Sequence, residues 1–213
     1  MAFDEIERQR PPAHDAGDPR RFAPASQRNR APILEVLSRV LPGEGLVLEI
    51  ASGTGEHAAW FAQHLRPLVW QPSDPDPLMR RSIHAHGAEV ATLRPPLDLD
   101  TTKLPWPIER ADAAVCINMI HIAPWAATEG LLAGAGAILP PAGALCLYGP
   151  FKREGVHTAP SNQAFDESLR AENPAWGLRD LEAVADLAAE HGLALREVAE
   201  MPANNLSVIF EKR

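Results

Sequence analysis

The sequence predicts an α/β fold, a three-layer sandwich in which helices cover both faces of a mostly parallel sheet of seven strands. Three observations carry this. From Leu46 onward, short apolar runs alternate with amphipathic helical segments. Hydrophobic residues make up 46% of the 213 positions and charged residues 23%, which suits one packed core and excludes a mainly disordered chain. No shift in composition marks a second domain.

Residues 1–23 mix charges with Pro11, Pro12 and Pro19, so an irregular arm is expected ahead of a domain spanning 24–213. A helix over about 25–41 places Ile33, Leu34, Leu37 and Leu41 on one stripe. Strands near 46–50, 68–72, 89–93, 112–118 and 144–149 then alternate with helices near 55–65, 76–87, 125–138 and 178–191. Asp76, just before Pro77, suits an N-cap. Two more strands, about 193–200 and 205–211, follow in succession around Met201-Pro202-Ala203-Asn204. The stretch from Gly149 to Arg179 breaks the alternation, being long, polar and interrupted by Pro150, Pro160 and Pro174, and we read residues 149–179 as a substrate lid.

A net charge of -8 gives no general attraction to phosphate backbones, so a small-molecule substrate is expected rather than bulk nucleic acid. No apolar stretch of signal-peptide length follows Met1 and no run of about 18 apolar residues occurs, so neither export nor a membrane span is expected. Cys116 and Cys146 sit inside apolar runs and read as buried thiols, which fits a cytoplasmic location. His14, His57, His64, His84, His86, His157 and His191 show no metal-ligand spacing, and no metal is expected.

The run Leu46–Ile50 reads as a buried strand, and Gly53 and Gly55 allow a tight turn into the next helix, so that a ligand can approach main-chain atoms. The glycines alone do not identify the ligand, because Gly53-Thr54-Gly55-Glu56-His57-Ala58 also satisfies a dinucleotide-binding fingerprint. Glu49 discriminates: a carboxylate just before the loop repels a pyrophosphate but suits S-adenosylmethionine (SAM), which carries an ammonium and a sulfonium and no phosphate. Nineteen residues beyond Gly55, Asp74 can accept hydrogen bonds from both hydroxyls of a ribose, a feature that fits either cofactor. In Leu97-Asp98-Leu99, Asp98 offers an acceptor to an adenine amino group while Leu99 packs the ring. Three carboxylates at three successive strand ends describe one ligand in the crevice at the carboxyl ends of the strands.

Glu49-x-Ala51-x-Gly53-x-Gly55, Asp74 and Asp98 resemble the successive SAM-binding motifs of class I SAM-dependent methyltransferases, over roughly residues 30–213, with Ala51 in place of the usual first glycine. More narrowly, the chain resembles an uncharacterised methyltransferase-like family found in bacteria and animals. That resemblance is carried by Phe22-Ala23-Pro24-Ala25, Arg28-Asn29, Ile117-Asn118-Met119-Ile120-His121, Tyr148-Gly149-Pro150-Phe151, Trp176-Gly177-Leu178-Arg179-Asp180 and Met201-Pro202-Ala203-Asn204-Asn205-Leu206. It implies a Rossmann-like fold closed by a C-terminal antiparallel hairpin, with Glu49, Ala51, Ser52, Gly53, Gly55, Asp74, Asp98, Leu99 and Asn118 around SAM. Asn118-Met119-Ile120-His121 lacks the Asn/Asp-Pro-Pro-aromatic motif of enzymes that methylate adenine or glutamine amino groups, which argues against those substrates.

Methyl transfer from a sulfonium needs alignment and exclusion of water more than acid or base catalysis. If a base is used, His121 is the first candidate, because the fourth strand should end near Asn118 and imidazole accepts a proton near neutral pH. Tyr148 is the second catalytic candidate; Trp125 and Phe151 are candidates to line an apolar acceptor pocket. Asn162, Asp166 and Arg170 are placed to close over the acceptor, with Asn204 and Asn205 near it. The alternative is a SAM-binding sensor or partner subunit that transfers nothing.

Overall fold

The computed structural model describes residues 17–213; most of the arm expected over 1–23, including His14, lies outside the described residues. Helix α1 (Pro24–Val40) opens on a proline, whose missing N–H has no partner to lose in a first turn, and buries Ile33, Val36, Leu37 and Val40. There follow β1 (Leu46–Ile50), α2 (Glu56–His64), β2 (Val69–Pro72), α3 (Pro77–His86), β3 (Ala113–Ile117), α4 (Trp125–Ile138) and β4 (Ala144–Gly149). The rest comprises β5 (Phe151–Arg153), β6 (Val156–His157), α5 (Pro160–Glu172), β7 (Arg179–Asp180), α6 (Leu181–Glu190), β8 (Leu193–Met201) and β9 (Asn205–Lys212).

The main sheet has the order β2-β1-β3-β4-β9-β8. Its first four strands are parallel, and β9 runs antiparallel to both β4 and β8, as the closing hairpin requires. Among the described residues the main sheet has six strands rather than seven. The run expected as a strand at 89–93 folds into turns instead, with Val90 N–H donating to the Gly87 carbonyl at 2.9 Å and Leu93 N–H to the Val90 carbonyl at 3.0 Å, and only Leu93 bridges to Trp70. A second bridge joins Ser73 to Leu97, and Pro95-Pro96 between the two bridges have no N–H to extend them into a ladder. On either side of that pair, Arg94 N–H donates to the Trp70 carbonyl at 2.8 Å and Leu97 N–H to the Pro72 carbonyl at 3.0 Å.

Alternate residues of the buried strands supply two cores, one on each face. Leu48, Ile50, Ala114, Cys116, Leu145 and Leu147 pack with Leu131, Leu132 and Ala135 of α4 and Leu181, Val184 and Ala188 of α6. Val47, Trp70, Val115, Ile117, Cys146 and Tyr148 pack with Ile33 and Leu37 of α1 and Ala58 and Phe61 of α2. A fully buried side chain such as Leu48 contributes about 2 kcal/mol over its exposed state. Both cysteines are free and buried, and burial pushes each thiol up to about 12. Among the described residues, no helix is long and apolar enough to cross a membrane.

The stretch 149–179 is folded rather than irregular. It forms a small sheet in the order β6-β5-β7 and the 13-residue helix α5. Pro160, read from the sequence as an interruption, is the first residue of α5, a position proline favours. The helix expected from 178 starts at Leu181, because Arg179 and Asp180 first pair with Phe151 and Lys152.

Candidate functional site

β1 and β3 are neighbours in the sheet, yet β1 leads into α2 on one face and β3 into α4 on the other. The sequence order of the strands reverses there, which opens a crevice beyond their carboxyl ends. The loop after β1 lines it. Ala51 holds a left-handed φ of +55°, so glycine's usual presence in related loops reflects backbone conformation rather than size, and alanine there costs about 1 kcal/mol. Ser52 N–H donates to the Ser73 carbonyl and Ser73 Oγ to the Glu49 carbonyl, both at 2.8 Å, stitching this loop to the end of β2. Among the described residues, a Cβ at Gly53 would meet nothing within 4 Å, so the backbone there faces open space.

Asp74 is buried and accepts from Gly53 N–H and Asp76 N–H, each at 2.9 Å, one on each carboxylate oxygen. Each oxygen keeps a lone pair for a further donor. Burial raises its pKa against those hydrogen bonds. Glu49 departs from the picture of a free negative charge. It is 1% exposed, accepts from Trp70 Nε1 at 2.6 Å, and is pushed up to about 8 by burial, with the Asp74 charge adding to the rise. It is therefore mostly protonated at neutral pH.

The adenine-end candidates divide. Asp98 is exposed and pairs with Arg80 at 3.0 Å. Leu99 is 1% exposed and packs in the core beside α4.

At the end of β3, Asn118 has a φ of +58° and donates its N–H to the Tyr148 carbonyl at 2.8 Å. Three residues on, His121 is buried, and its Nδ1 has no hydrogen-bond partner among the described residues. A Cβ at Gly149 would lie 2.9 Å from His121 Cε1, 3.1 Å from Nδ1 and 3.3 Å from Asn118 Oδ1, so the bare backbone there gives the imidazole its seat. The segment 149–179 covers this ring: Phe165 lies edge-on at 5.7 Å, and Gly177 N–H donates to the His121 carbonyl at 2.9 Å. Arg179 donates to the carbonyls of Ile120 at 2.8 Å, Ala175 at 3.1 Å and Ala123, and lies over the half-buried Trp125, 5.8 Å from its ring centroid. Burial lowers His121 to about 4, helped by the Arg179 charge, so its ring is neutral at pH 7.

Five of the expected residues are engaged elsewhere among the described residues. Tyr148 is packed under α1, where its hydroxyl meets Asn29, so it belongs to the core and not to the His121 side. Phe151 is 1% exposed and packs in the opposite core. Asn162 donates to Thr158 Oγ1 at 3.0 Å and to the Asn204 carbonyl at 2.9 Å, which ties α5 to the turn before β9 instead of presenting an amide to a ligand. Asp166 likewise serves its own segment, accepting from His157 Nε2, Arg170 Nε and Leu178 N–H. Asn205 bonds the carbonyls of Pro202 and Ala203 within its own turn.

Sequence reasoning missed Arg80, Gly149 and the pair Asn29–His57, joined at 2.7 Å between Asn29 Oδ1 and His57 Nε2. Gly149, Asn29 and His57 stood inside quoted motifs without a role, and Arg80 in none.

These buried groups set a stability profile. His57, by burial and the Arg30 charge, and His121 both titrate near 4 against 6.5 unfolded. Their depressed values give stability that is complete above pH 6.5 and lost as pH falls through 4, about 3 kcal/mol each. Glu49 acts oppositely: its value near 8 gives stability complete below pH 4.5 and lost as pH rises through 8. The midpoint of urea unfolding should therefore peak near pH 6.5 and fall on both sides. A flat profile from pH 4.5 to 8.5 would contradict these assignments.

The architecture matches solved methyltransferases. Human N-acetylserotonin methyltransferase in complex with SAM superposes with a TM-score of 0.74 at 16% identity, over 88% of this chain and 52% of that one. An O-methyltransferase family protein from Burkholderia thailandensis gives 0.71 at 18%, over 88% and 56%. O-methyltransferase family 2 protein from Planctomyces limnophilus, in complex with apigenin, gives 0.71 at 18%, over 84% and 56%. The chain thus spans about half the length of these proteins and has the Rossmann-like fold of SAM-dependent methyltransferases. Its sequence matches the family described as Protein of unknown function (DUF938) over residues 20–212, and the chain belongs to that family.

Proposed function

We propose that the protein is a SAM-dependent methyltransferase acting on a small-molecule acceptor, with His121 as the base. The residues of the crevice fit the cofactor. Asp74 has lone pairs left for the ribose hydroxyls, Asp98 for the adenine amino group, and the open backbone at Gly53 leaves room beside the loop of Ala51, Ser52 and Gly55. Glu49, beneath that loop, favours a cationic neighbour, whose charge would lower its pKa so that it gives its proton to solvent. Asn118, at the end of β3, would stand beside the methyl-bearing end. When bound, SAM supplies a methyl group activated by its sulfonium.

One observation carries the catalytic reading: a buried imidazole nitrogen without a hydrogen-bond partner among the described residues, four positions past the end of β3. A structural histidine is normally hydrogen-bonded when buried. Nδ1, unprotonated at pH 7, would accept the proton of an acceptor hydroxyl or amine as that group takes the methyl, the methyl–sulfur bond breaking to leave a neutral thioether. Residues 149–179, lying over His121 through Phe165 and Gly177, exclude water from the reaction as a substrate lid. The complexes of the human and Planctomyces proteins, with SAM and with apigenin, support this reading.

Calorimetry should show SAM and S-adenosylhomocysteine binding with roughly micromolar affinity, and Asp74→Ala should weaken both about tenfold or more. Labelled SAM should then mark a product in the small-molecule fraction of a cell extract. Lack of binding to either ligand would refute the assignment, and binding without transfer to any fraction would favour a sensor.

A further inference from the structure

We propose that Arg80 makes the cofactor site selective for adenine by fixing Asp98 beside the Asp74 loop; the inference rests on the cofactor reading above. Asp76 caps α3 by accepting from Leu78 N–H at 2.7 Å, and Pro77 starts the helix. Arg80 stands in the first turn, and side chains on a helix lean toward its N-terminus, here toward the end of β2. Arg80 Nη1 accordingly donates to the carbonyls of Asp74 and Pro75, both at 2.8 Å, and lies 3.0 Å from Asp98 Oδ1.

The two partners are unequally held. The Arg80 side chain is 21% exposed and anchored on two carbonyls, whereas that of Asp98 is 71% exposed. Arg80 is thus the fixed member and Asp98 the one it orients. The backbone agrees, because Asp74 N–H donates to the Leu97 carbonyl at 3.1 Å and so lays 97–98 along 73–74. An ion pair this exposed adds little to folding stability, so its consequence lies in where it holds the carboxylate. With Oδ1 on Arg80, Oδ2 remains as an acceptor. A base with a 6-amino group donates to it, while a 6-oxo base sets two acceptors against each other.

Arg80 is a positioning residue, and a purely structural staple would act alike on both kinds of base. The decisive comparison is the affinity of the full chain for S-adenosylhomocysteine against S-inosylhomocysteine, its 6-oxo analogue. The wild type should prefer the adenosyl ligand roughly 10- to 100-fold, as expected for a hydrogen bond to a charged group. Arg80→Met should reduce that ratio to about threefold or less, chiefly by weakening the adenosyl ligand. Asp98→Asn, a change at an exposed side chain that leaves folding unaffected, should collapse the ratio likewise, and Arg80→Lys should restore part of it.

Equal weakening of both ligands in Arg80→Met, with the wild-type ratio kept in Arg80→Met or Asp98→Asn, would overturn the proposal. So would a wild type that binds the adenosyl ligand without discriminating. A wild type that does not bind S-adenosylhomocysteine at all would overturn the cofactor reading itself, and this inference with it.

Discussion

Replacing His121 by glutamine should lower the turnover of methyl transfer by about 10²- to 10⁴-fold while SAM affinity stays within about twofold. The side chain lies outside the hydrogen bonds that shape the loop after β1, so its removal should leave the cofactor end intact. Glutamine fills a similar space but cannot accept a proton at neutral pH. The pH profile is a second readout. An exposed histidine loses its basic form below about 6.5, whereas burial and Arg179 hold His121 near 4. Wild-type kcat/KM should therefore stay flat from neutrality to about pH 5 and fall only below that. A fall centred near 6.5, or a glutamine variant with unchanged turnover, would remove His121 from the reaction.

Gly55→Ala should be the most disruptive single-methyl change in the loop. The added Cβ would lie 2.5 Å from Ile83 Cα, a backbone atom that cannot rotate away, and φ there is +89°. Together these should cost about 2–4 kcal/mol, because overpacking adds to left-handed strain. The position where α3 meets α2 would shift, carrying the Asp74 end of β2 with it. Gly53→Ala is the useful contrast, since its Cβ meets nothing among the described residues. It should affect stability less and cofactor affinity more. Urea unfolding of the two variants beside SAM titrations checks the split, and similar stabilities would refute it.

The alternation of apolar runs and amphipathic helices made the main sheet legible, and α4 occupies the expected span of 125–138. Local pattern could not foresee that the apolar run around Val90 would fold into turns, leaving only the bridges at Leu93 and Leu97 on either side of Pro95-Pro96. Nor could it tell that Pro160 begins a helix, since proline both stops and starts helices. In the site, spacing located Asp74, and the Asp98 segment lies beside it. Residue type alone misled for Tyr148 and Phe151, because an aromatic at a strand end faces either a ligand or a core. The charge assigned to Glu49 shifted with burial, which no motif displays. Arg80 and Gly149 escaped notice because their partners, Asp98 and His121, are distant in sequence.

The position of β9 bears on biosynthesis. Among the described strands it is the last in sequence, yet it lies between β4 and β8 and bonds to both. A nascent chain that has emerged as far as Met201 holds every parallel strand and helix of both cores, but β4 still presents an open edge and β8 has no neighbour. Parallel pairing can begin on the ribosome, whereas closure must wait until Asn205–Lys212 clears the exit tunnel. During that interval the exposed edge of β4 is where a chaperone would protect the chain and where another nascent copy could pair wrongly.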